Sequence, residues 1–245
     1  MATPSQGTVQ LNNRGVAYLQ RGNLHKSFKL FCDALRNTMS LLRAAPEATP
    51  ATQAARPARQ SKPLWRTKGL HAFVNVKAPV NKRFAGPCDF MYSQGITLMD
   101  EPGAYSLNDV VDVSVASSIV LFNLALIHHI KGLKDSNSMY LIKAEAFYCR
   151  SYQLLVDTGL DLGRSGNPVI DLVSMTLLNN NATLSRELCH SELSKQQFQK
   201  LLKVATQVDG ESYRDSSIGQ FLEETKNDFL LNAIVLCDQS PAAAA

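Results

Sequence analysis

The sequence lacks the short motifs that mark the common enzyme sites, and it has few aromatic residues. Tryptophan occurs once in 245 residues and aromatic residues make up 7%, so the core must be mostly aliphatic. No G-x-S-x-G, G-x-x-x-x-G-K-S/T or G-x-G-x-x-G sequence is present. The glycine-rich stretch 159–166 follows no apolar strand, which favours a flexible loop between helices over a phosphate-binding loop.

The five histidines and five cysteines are too scattered to predict a metal site. No C-x-x-C or H-x-x-x-H pair occurs. The adjacent His128 and His129 would point about 100° apart on a helix, so we expect a buried His128 that fills space and an exposed His129. Cys149 and Cys189 lie on predicted apolar faces, where thiols are normally unreactive. We therefore predict a protein that is not an enzyme, with no metal and no cofactor.

The N-terminus has no apolar stretch and no early basic cluster, so no secretory signal is visible. We expect an intracellular protein, cytoplasmic or nuclear, whose thiols stay reduced. The central apolar run 119–130 is interrupted by Asn123 and by the two histidines. This run is too short and too polar to span a bilayer, and we predict no membrane partner.

Acidic residues are absent between Glu47 and Asp89, whereas eight lysines and arginines lie between residues 56 and 83. Residues 1–90 hold 14 basic and 3 acidic side chains, against 11 and 18 in residues 91–245. The basic segment 56–83 could associate with nucleic acid or with an acidic partner. A solvated connection, kept soluble by its charge, is the simpler interpretation.

Three stretches carry the apolar period of paired amphipathic helices, at about residues 8–42, 115–155 and 169–208. In the first stretch, Gly22 and Asn23 predict the turn between the two helices. Gly15 and Ala34 are small where these helices must approach each other closely. Each stretch therefore predicts a helical hairpin that buries one face.

The remaining stretches have other patterns. Residues 44–63 are rich in alanine and proline and nearly free of large apolar groups, which predicts a disordered loop. Residues 64–100 alternate in polarity, above all from Phe90 to Leu98, which predicts one or two short strands. The apolar run 229–236 is either a third strand or part of a C-terminal helix over about 216–237.

The first hairpin resembles a tetratricopeptide repeat in its sequence NRGVAYLQRGN from Asn13 to Asn23, followed by Phe31 and Ala34. The later hairpins repeat the opening positions as Asn123-Leu124-Ala125 and Asn180-Asn181-Ala182. With FNLALIHH from Phe122 to His129 and an alanine-rich terminus, the layout is similar to the short tetratricopeptide-like proteins of diatoms. The resemblance implies a mainly α fold of about three stacked hairpins, an α-solenoid, with a small β element from the insert and an extra C-terminal helix.

In that family the first helices line a groove, where asparagine can bind the backbone of an extended peptide. By resemblance, the residues on or beside this surface are Asn12, Asn13, Asn123, His129, Asn179, Asn180 and Arg186. The same amides could instead cap or bridge neighbouring helices, and both interpretations stay open. Val16 and Leu126 stand where a polar clamp residue would be expected, so the resemblance does not imply binding of an acidic C-terminal tail.

We therefore predict a non-catalytic scaffold that binds a protein or peptide through a helix-lined groove. The alternative is association with nucleic acid or an acidic partner through 56–83, which would weaken steeply with salt. On the groove hypothesis, alanine at both Asn123 and Asn180 should weaken partner capture without lowering the melting temperature.

Overall fold

A computed structural model describes residues 4–44, 72–74, 91–98, 110–165, 167–208 and 217–238. These residues form seven helices and two short strands, and the prediction of a mainly α protein is confirmed. In chain order the elements are α1 (Pro4–Gln20), α2 (Leu24–Ala44), β1 (Ala72–Val74), β2 (Ile96–Leu98), α3 (Val110–Lys134), α4 (Ser138–Asp157), α5 (Pro168–Glu187), α6 (Ser191–Gln207) and α7 (Ser217–Asp238).

The helices pair along the chain as three hairpins, α1 with α2, α3 with α4, and α5 with α6. The hairpins also contact one another in order, since α2 packs on α3 and α4 packs on α5. The last helix, α7, packs on both helices of the third hairpin. Each hairpin thus buries apolar surface against its neighbour, which a single hairpin could not do alone.

The three hairpins share one packing pattern around a buried aromatic ring. Phe31, Tyr148 and Phe198 are fully buried on the second helix of each pair. Four residues before the first and last of these rings, a serine hydroxyl donates to a carbonyl of the preceding helix, Ser27 to Gly15 and Ser194 to Ala182, both at 2.8 Å. A Cβ on Gly15 would lie 2.5 Å from the Phe31 ring, so only glycine allows this approach.

The central helix α3 forms much of the core. Residues 115–130 are buried without interruption, including the two histidines. The expectation concerned only the run 119–130; by length and composition alone, the longer stretch Val111–Lys134 could cross a membrane. All of its most apolar stretch is buried within the protein, which accounts for its composition.

The apolar run 229–236 lies in α7, so the proposal that it forms a third strand is wrong. Buried Leu222, Phe229 and Ala233 face the third hairpin, whereas Leu231 and Ile234 are exposed. This spacing of seven and four residues follows a helix and not a strand. Packing on α5 and α6 decides between two conformations that the apolar run alone allows.

The insert forms a small antiparallel pair in which Ala72 lies opposite Leu98 and Val74 opposite Ile96. Of the described residues 91–98 in the predicted strand 90–98, only the last three pair with another strand, so the strand is shorter than expected. The loop 44–63 lies outside the described residues except for Ala44, and so do all the lysines and arginines of the basic segment 56–83.

Described residues of the loop before α5 are hydrogen-bonded to the start of that helix. Buried Asp171, in the first turn of α5, accepts hydrogen bonds from the Gly163 backbone at 3.0 Å and from Ser165 Oγ at 2.7 Å. Asn167 caps the helix by accepting from the backbone N–H of Val169 at 3.0 Å. The Gly163 N–H and the Ser165 hydroxyl are therefore already paired with a carboxylate of the chain itself.

Cys149 and Cys189 are both exposed, so their predicted positions on apolar faces are wrong. Cys189 lies in the turn between α5 and α6, directly after Leu188, the C-cap of α5. Its φ is 60°, in the left-handed region. Gly22, nine residues after Asn13, has the corresponding conformation in the first hairpin with a φ of 74°. The left-handed residue of the turn is glycine in the first hairpin, Ser136 with a φ of 49° in the second, and Cys189 in the third, although glycine is the residue that adopts this conformation without strain.

Replacing Cys189 by glycine should raise the free energy of unfolding by about 1 kcal/mol, because glycine adopts positive φ without strain. The matched control is Cys189→Ala, which keeps a Cβ and should give no comparable gain. Urea denaturation of the three proteins measures the difference. An equal gain in both variants would attribute the effect to the thiol and not to the backbone.

Candidate peptide-binding groove

One asparagine from the first helix of each hairpin faces the same stretch of chain, residues 91–98. We call this stretch the groove segment. Asn13 lies on α1, Asn123 on α3 and Asn180 on α5. Because these three helices belong to successive hairpins, their asparagines form a row across the stack.

Each of the three side-chain amides binds both backbone polar groups of a single residue. The N–H of Leu98 donates to Asn13 Oδ1 at 2.7 Å, and Asn13 Nδ2 donates to the Leu98 carbonyl. Ile96 makes the same pair with Asn123, at 2.9 and 2.8 Å. Tyr92 makes it with Asn180, at 2.8 Å in both directions.

This arrangement reproduces the contacts of a neighbouring β-strand. A side-chain amide carries one donor group and one acceptor, as a peptide unit does. In a strand, alternate residues direct their backbone groups to opposite sides. Ile96 and Leu98 face the asparagines, and Thr97 lies opposite Phe73 in the pairing of β2 with β1. The asparagine row therefore covers the strand edge that β1 leaves open.

Two further asparagines support the row. Asn12 donates to the Ile96 carbonyl at 3.0 Å and accepts from Asn123 Nδ2 at 2.9 Å, so it links the first two hairpins. Asn179 donates to Asn180 Oδ1 at 3.3 Å and accepts from Asn232 of α7 at 3.1 Å. Both side chains are fully buried, and their hydrogen bonds orient the amides that bind the segment.

The side chains of the groove segment also fit the helices closely. Ile96 and Leu98 are buried. A Cβ on Gly95 would lie 3.1 Å from both methyl groups of Val16 and 3.2 Å from Leu19. The Tyr92 ring lies 6.4 Å from that of Phe122 and 5.9 Å from that of Phe229 in α7, measured between centroids. The groove thus has a narrow end at α1 and an aromatic pocket at α7.

His129 is fully buried, and the expectation that it is exposed is wrong. Its Nδ1 lies 3.4 Å from the Tyr148 hydroxyl, which also accepts from Asn180 Nδ2 at 3.2 Å. Burial lowers the pKa of His129 to about 3 and raises the pKa of Tyr148 well above its ordinary value. Both groups are therefore neutral near pH 7. Tyr148 contacts Asn180 of the row directly, and His129 contacts Tyr148.

The seven residues expected at the groove divide into two groups. Asn12, Asn13, Asn123 and Asn180 bind the backbone of the groove segment directly. His129, Asn179 and Arg186 contact other parts of the chain instead, and Arg186 donates to the Leu236 carbonyl of α7 at 3.4 Å. The amides bind an extended backbone of the chain itself and bridge neighbouring helices, whereas their binding of a separate peptide stays a prediction.

Sequence reasoning missed Tyr92, Phe229 and Tyr148. Tyr148 had a signal, because it is the only hydroxyl-bearing ring among the three equivalent buried aromatics, beside Phe31 and Phe198. A buried phenol needs a hydrogen-bond partner, and Asn180 supplies one. Tyr92 and Phe229 had no local signal, since they meet only through the packing of α7.

Replacing Tyr92 by phenylalanine should leave stability unchanged or raise it by about 1 kcal/mol. The Tyr92 hydroxyl is buried with no partner among the described residues, so its removal relieves a desolvation cost. The matched change Tyr148→Phe should instead cost about 1 kcal/mol, because Asn180 Nδ2 loses an acceptor. Thermal unfolding of both variants gives the comparison, and equal effects would contradict it.

Among the described residues, no group of three or more histidine, cysteine or acidic side chains could hold a metal ion. Among the described residues, Glu145 lies beside two side chains of catalytic residue types, Ser185 and His190. Ser185 Oγ and His190 Nδ1 both contact Glu145 Oε1, at 2.9 and 3.4 Å. The histidine does not lie between serine and carboxylate, so this arrangement lacks the order of a Ser-His-acid triad.

No family model, curated protein or solved structure matches the chain.

Proposed function

We propose that the protein is a non-catalytic interaction module of the tetratricopeptide-like kind, whose groove binds an extended peptide. The row of Asn13, Asn123 and Asn180 carries this proposal. Each amide satisfies the N–H and the carbonyl of one residue, so the row recognises extended backbone whatever side chains it bears. The side-chain amides thus take the place of the main-chain groups by which proteins bind a peptide as an added strand.

The neutrality of the groove supports binding over catalysis. Asparagine amides do not titrate, and burial keeps His129 and Tyr148 uncharged near pH 7. A general acid or base needs a pKa near the working pH. Because the pKa values of His129 and Tyr148 lie far from 7, these groups can hold hydrogen bonds of fixed direction but cannot exchange protons efficiently.

The geometry also predicts the strength of the interaction. Three bidentate amides give six hydrogen bonds, each worth about 1 kcal/mol net. Ordering a short peptide offsets much of this gain. Burial of apolar side chains such as those at positions 96 and 98 must supply the remainder. We expect micromolar affinity, suited to a reversible partner.

The test is whether the groove binds a peptide in trans once its own segment is removed. We would replace residues 91–98 with four Gly-Ser pairs, check the fold by circular dichroism, and titrate a fluorescent peptide of residues 90–99. We expect saturable binding with a Kd of about 10 µM.

Asn180→Ala in this replaced chain should weaken binding about tenfold, because the amide binds backbone directly. The control is Asn181→Ala on the same helix, whose Oδ1 has no partner among the described residues. Its effect should be less than threefold. A folded chain that binds no peptide, or that loses affinity equally with both variants, contradicts the proposed function.

A further inference from the structure

We infer that the groove segment is an intramolecular ligand, which a partner peptide with the pattern aromatic-x-x-Gly-aliphatic-x-aliphatic displaces. This inference rests on the proposed function and adds the sequence class of the partner and the means of control. The inference rests on one juxtaposition. The asparagine row can bind any extended backbone, and residues of the same chain already occupy it.

The pattern follows from the contacts at each position of the segment. Tyr92 fills the pocket between Phe122 and Phe229, which accepts a planar ring. Gly95 lies against Val16, where even a Cβ is tight. Ile96 and Leu98 are buried, with exposures of 0% and 1%, so aliphatic side chains are needed there.

Position 92 of a partner should favour phenylalanine over tyrosine. The Tyr92 hydroxyl is buried and has no hydrogen-bond partner among the described residues. A ring without that hydroxyl avoids the desolvation cost. A partner with phenylalanine would therefore bind more tightly than the resident segment at this point, which gives it a means of displacing the segment.

The helices and asparagines also contact one another without involving the segment. Helix α2 packs directly on α3, and α4 packs directly on α5. On the groove floor, Asn123 Nδ2 donates to Asn12 Oδ1 at 2.9 Å, and Asn180 Nδ2 donates to the Tyr148 hydroxyl at 3.2 Å. These bonds keep part of the floor paired when the segment leaves, and water can satisfy the remaining amides.

Covalent attachment makes the segment a strong competitor. A tethered ligand has an effective concentration of about 1 mM. A peptide that binds the emptied groove with a Kd of about 10 µM would bind the intact chain about 100-fold more weakly. The resident segment thus sets a threshold that only an abundant, tethered or tighter-binding partner passes.

A reciprocal pair of substitutions tests the exchange in the full chain. Gly95→Val in the protein should weaken the resident segment and strengthen binding of the residue 90–99 peptide about tenfold relative to the unsubstituted chain. The same glycine-to-valine change in the peptide should weaken its binding about tenfold. Fluorescence anisotropy of the labelled peptide, titrated with each protein, measures both.

Tyr92→Phe in the protein provides the second arm, because it should tighten the resident segment and weaken peptide binding about threefold. This variant folds whether or not Gly95→Val does, since it only removes a hydroxyl. Phenylalanine at the same place in the peptide should strengthen binding by a similar factor. If the same substitution weakens peptide binding when made in the protein and strengthens it when made in the peptide, the peptide and the resident segment compete for one groove.

The outcomes separate the two proposals. If the Gly-Ser chain binds peptide but the substitutions in the protein leave peptide affinity unchanged, the segment does not exchange and this inference is overturned. If neither the Gly-Ser chain nor any full-length variant binds, the proposed function itself fails.

Discussion

Replacing Asn123 by alanine is expected to lower the free energy of unfolding by about 3 kcal/mol, the largest effect we predict for one polar side chain. Asn123 is fully buried and makes three hydrogen bonds, two to the backbone of Ile96 and one to Asn12. Its loss leaves the Ile96 N–H buried without an acceptor, and a small cavity adds to the cost. Urea denaturation at pH 7 measures it.

The control is Asn181→Ala, which removes a buried asparagine whose Nδ2 makes only a 3.5 Å contact with Cys149 Sγ. We expect a loss of less than about 1 kcal/mol there. Similar losses in both variants would mean that the effect of Asn123 comes from side-chain volume. A loss of this size would contradict the sequence-based expectation that alanine at Asn123 and Asn180 leaves the melting temperature unchanged. The reason is that these amides bind the chain's own segment.

Replacing His129 by leucine is expected to make the protein about 2 kcal/mol more stable than the unsubstituted chain at pH 4.5, with little change at pH 7.5. The pKa of His129 is lowered from 6.5 to about 3 by burial. Between these two values the unfolded state binds the proton and the folded state does not. Stability is therefore fully present above pH 6.5 and is lost as the pH falls towards 3.

Leucine is a suitable replacement because Leu19 stands at the corresponding place, six residues after the asparagine of the first hairpin. Nε2 of His129 has no partner among the described residues, so leucine gives up only the long contact to Tyr148. Urea denaturation at the two pH values measures the change.

Burial also lowers the pKa of His128, so His128 also makes the protein less stable in acid. Parallel stability curves for both proteins between pH 4.5 and 7.5 would contradict the prediction.

Much of the helical layout could be predicted from local pattern. The three paired stretches, the turn at Gly22 and the need for a small residue at Gly15 are properties of neighbouring residues, because helix periodicity and tight turns act within a few positions. The asparagines could be found for the same reason, since each stands two residues before a small residue of its own helix.

Other features depend on contacts between residues distant in sequence. His129 is buried because α3 is surrounded by other helices, although its own apolar face would leave it exposed. The run 229–236 is helical because α7 packs on the third hairpin. Cys189 is exposed because the chain turns there with a positive φ, which places it outside the apolar face of α5.

The sequence by itself determined the helices and placed an asparagine at one position of each hairpin, because these depend on local period and residue size. Only the tertiary structure decided what those asparagines bind. Residues 92 and 180 are 88 positions apart, and no local pattern relates them. They meet because three hairpins, each burying its apolar face against the next, bring their amides into a row that fits an extended backbone.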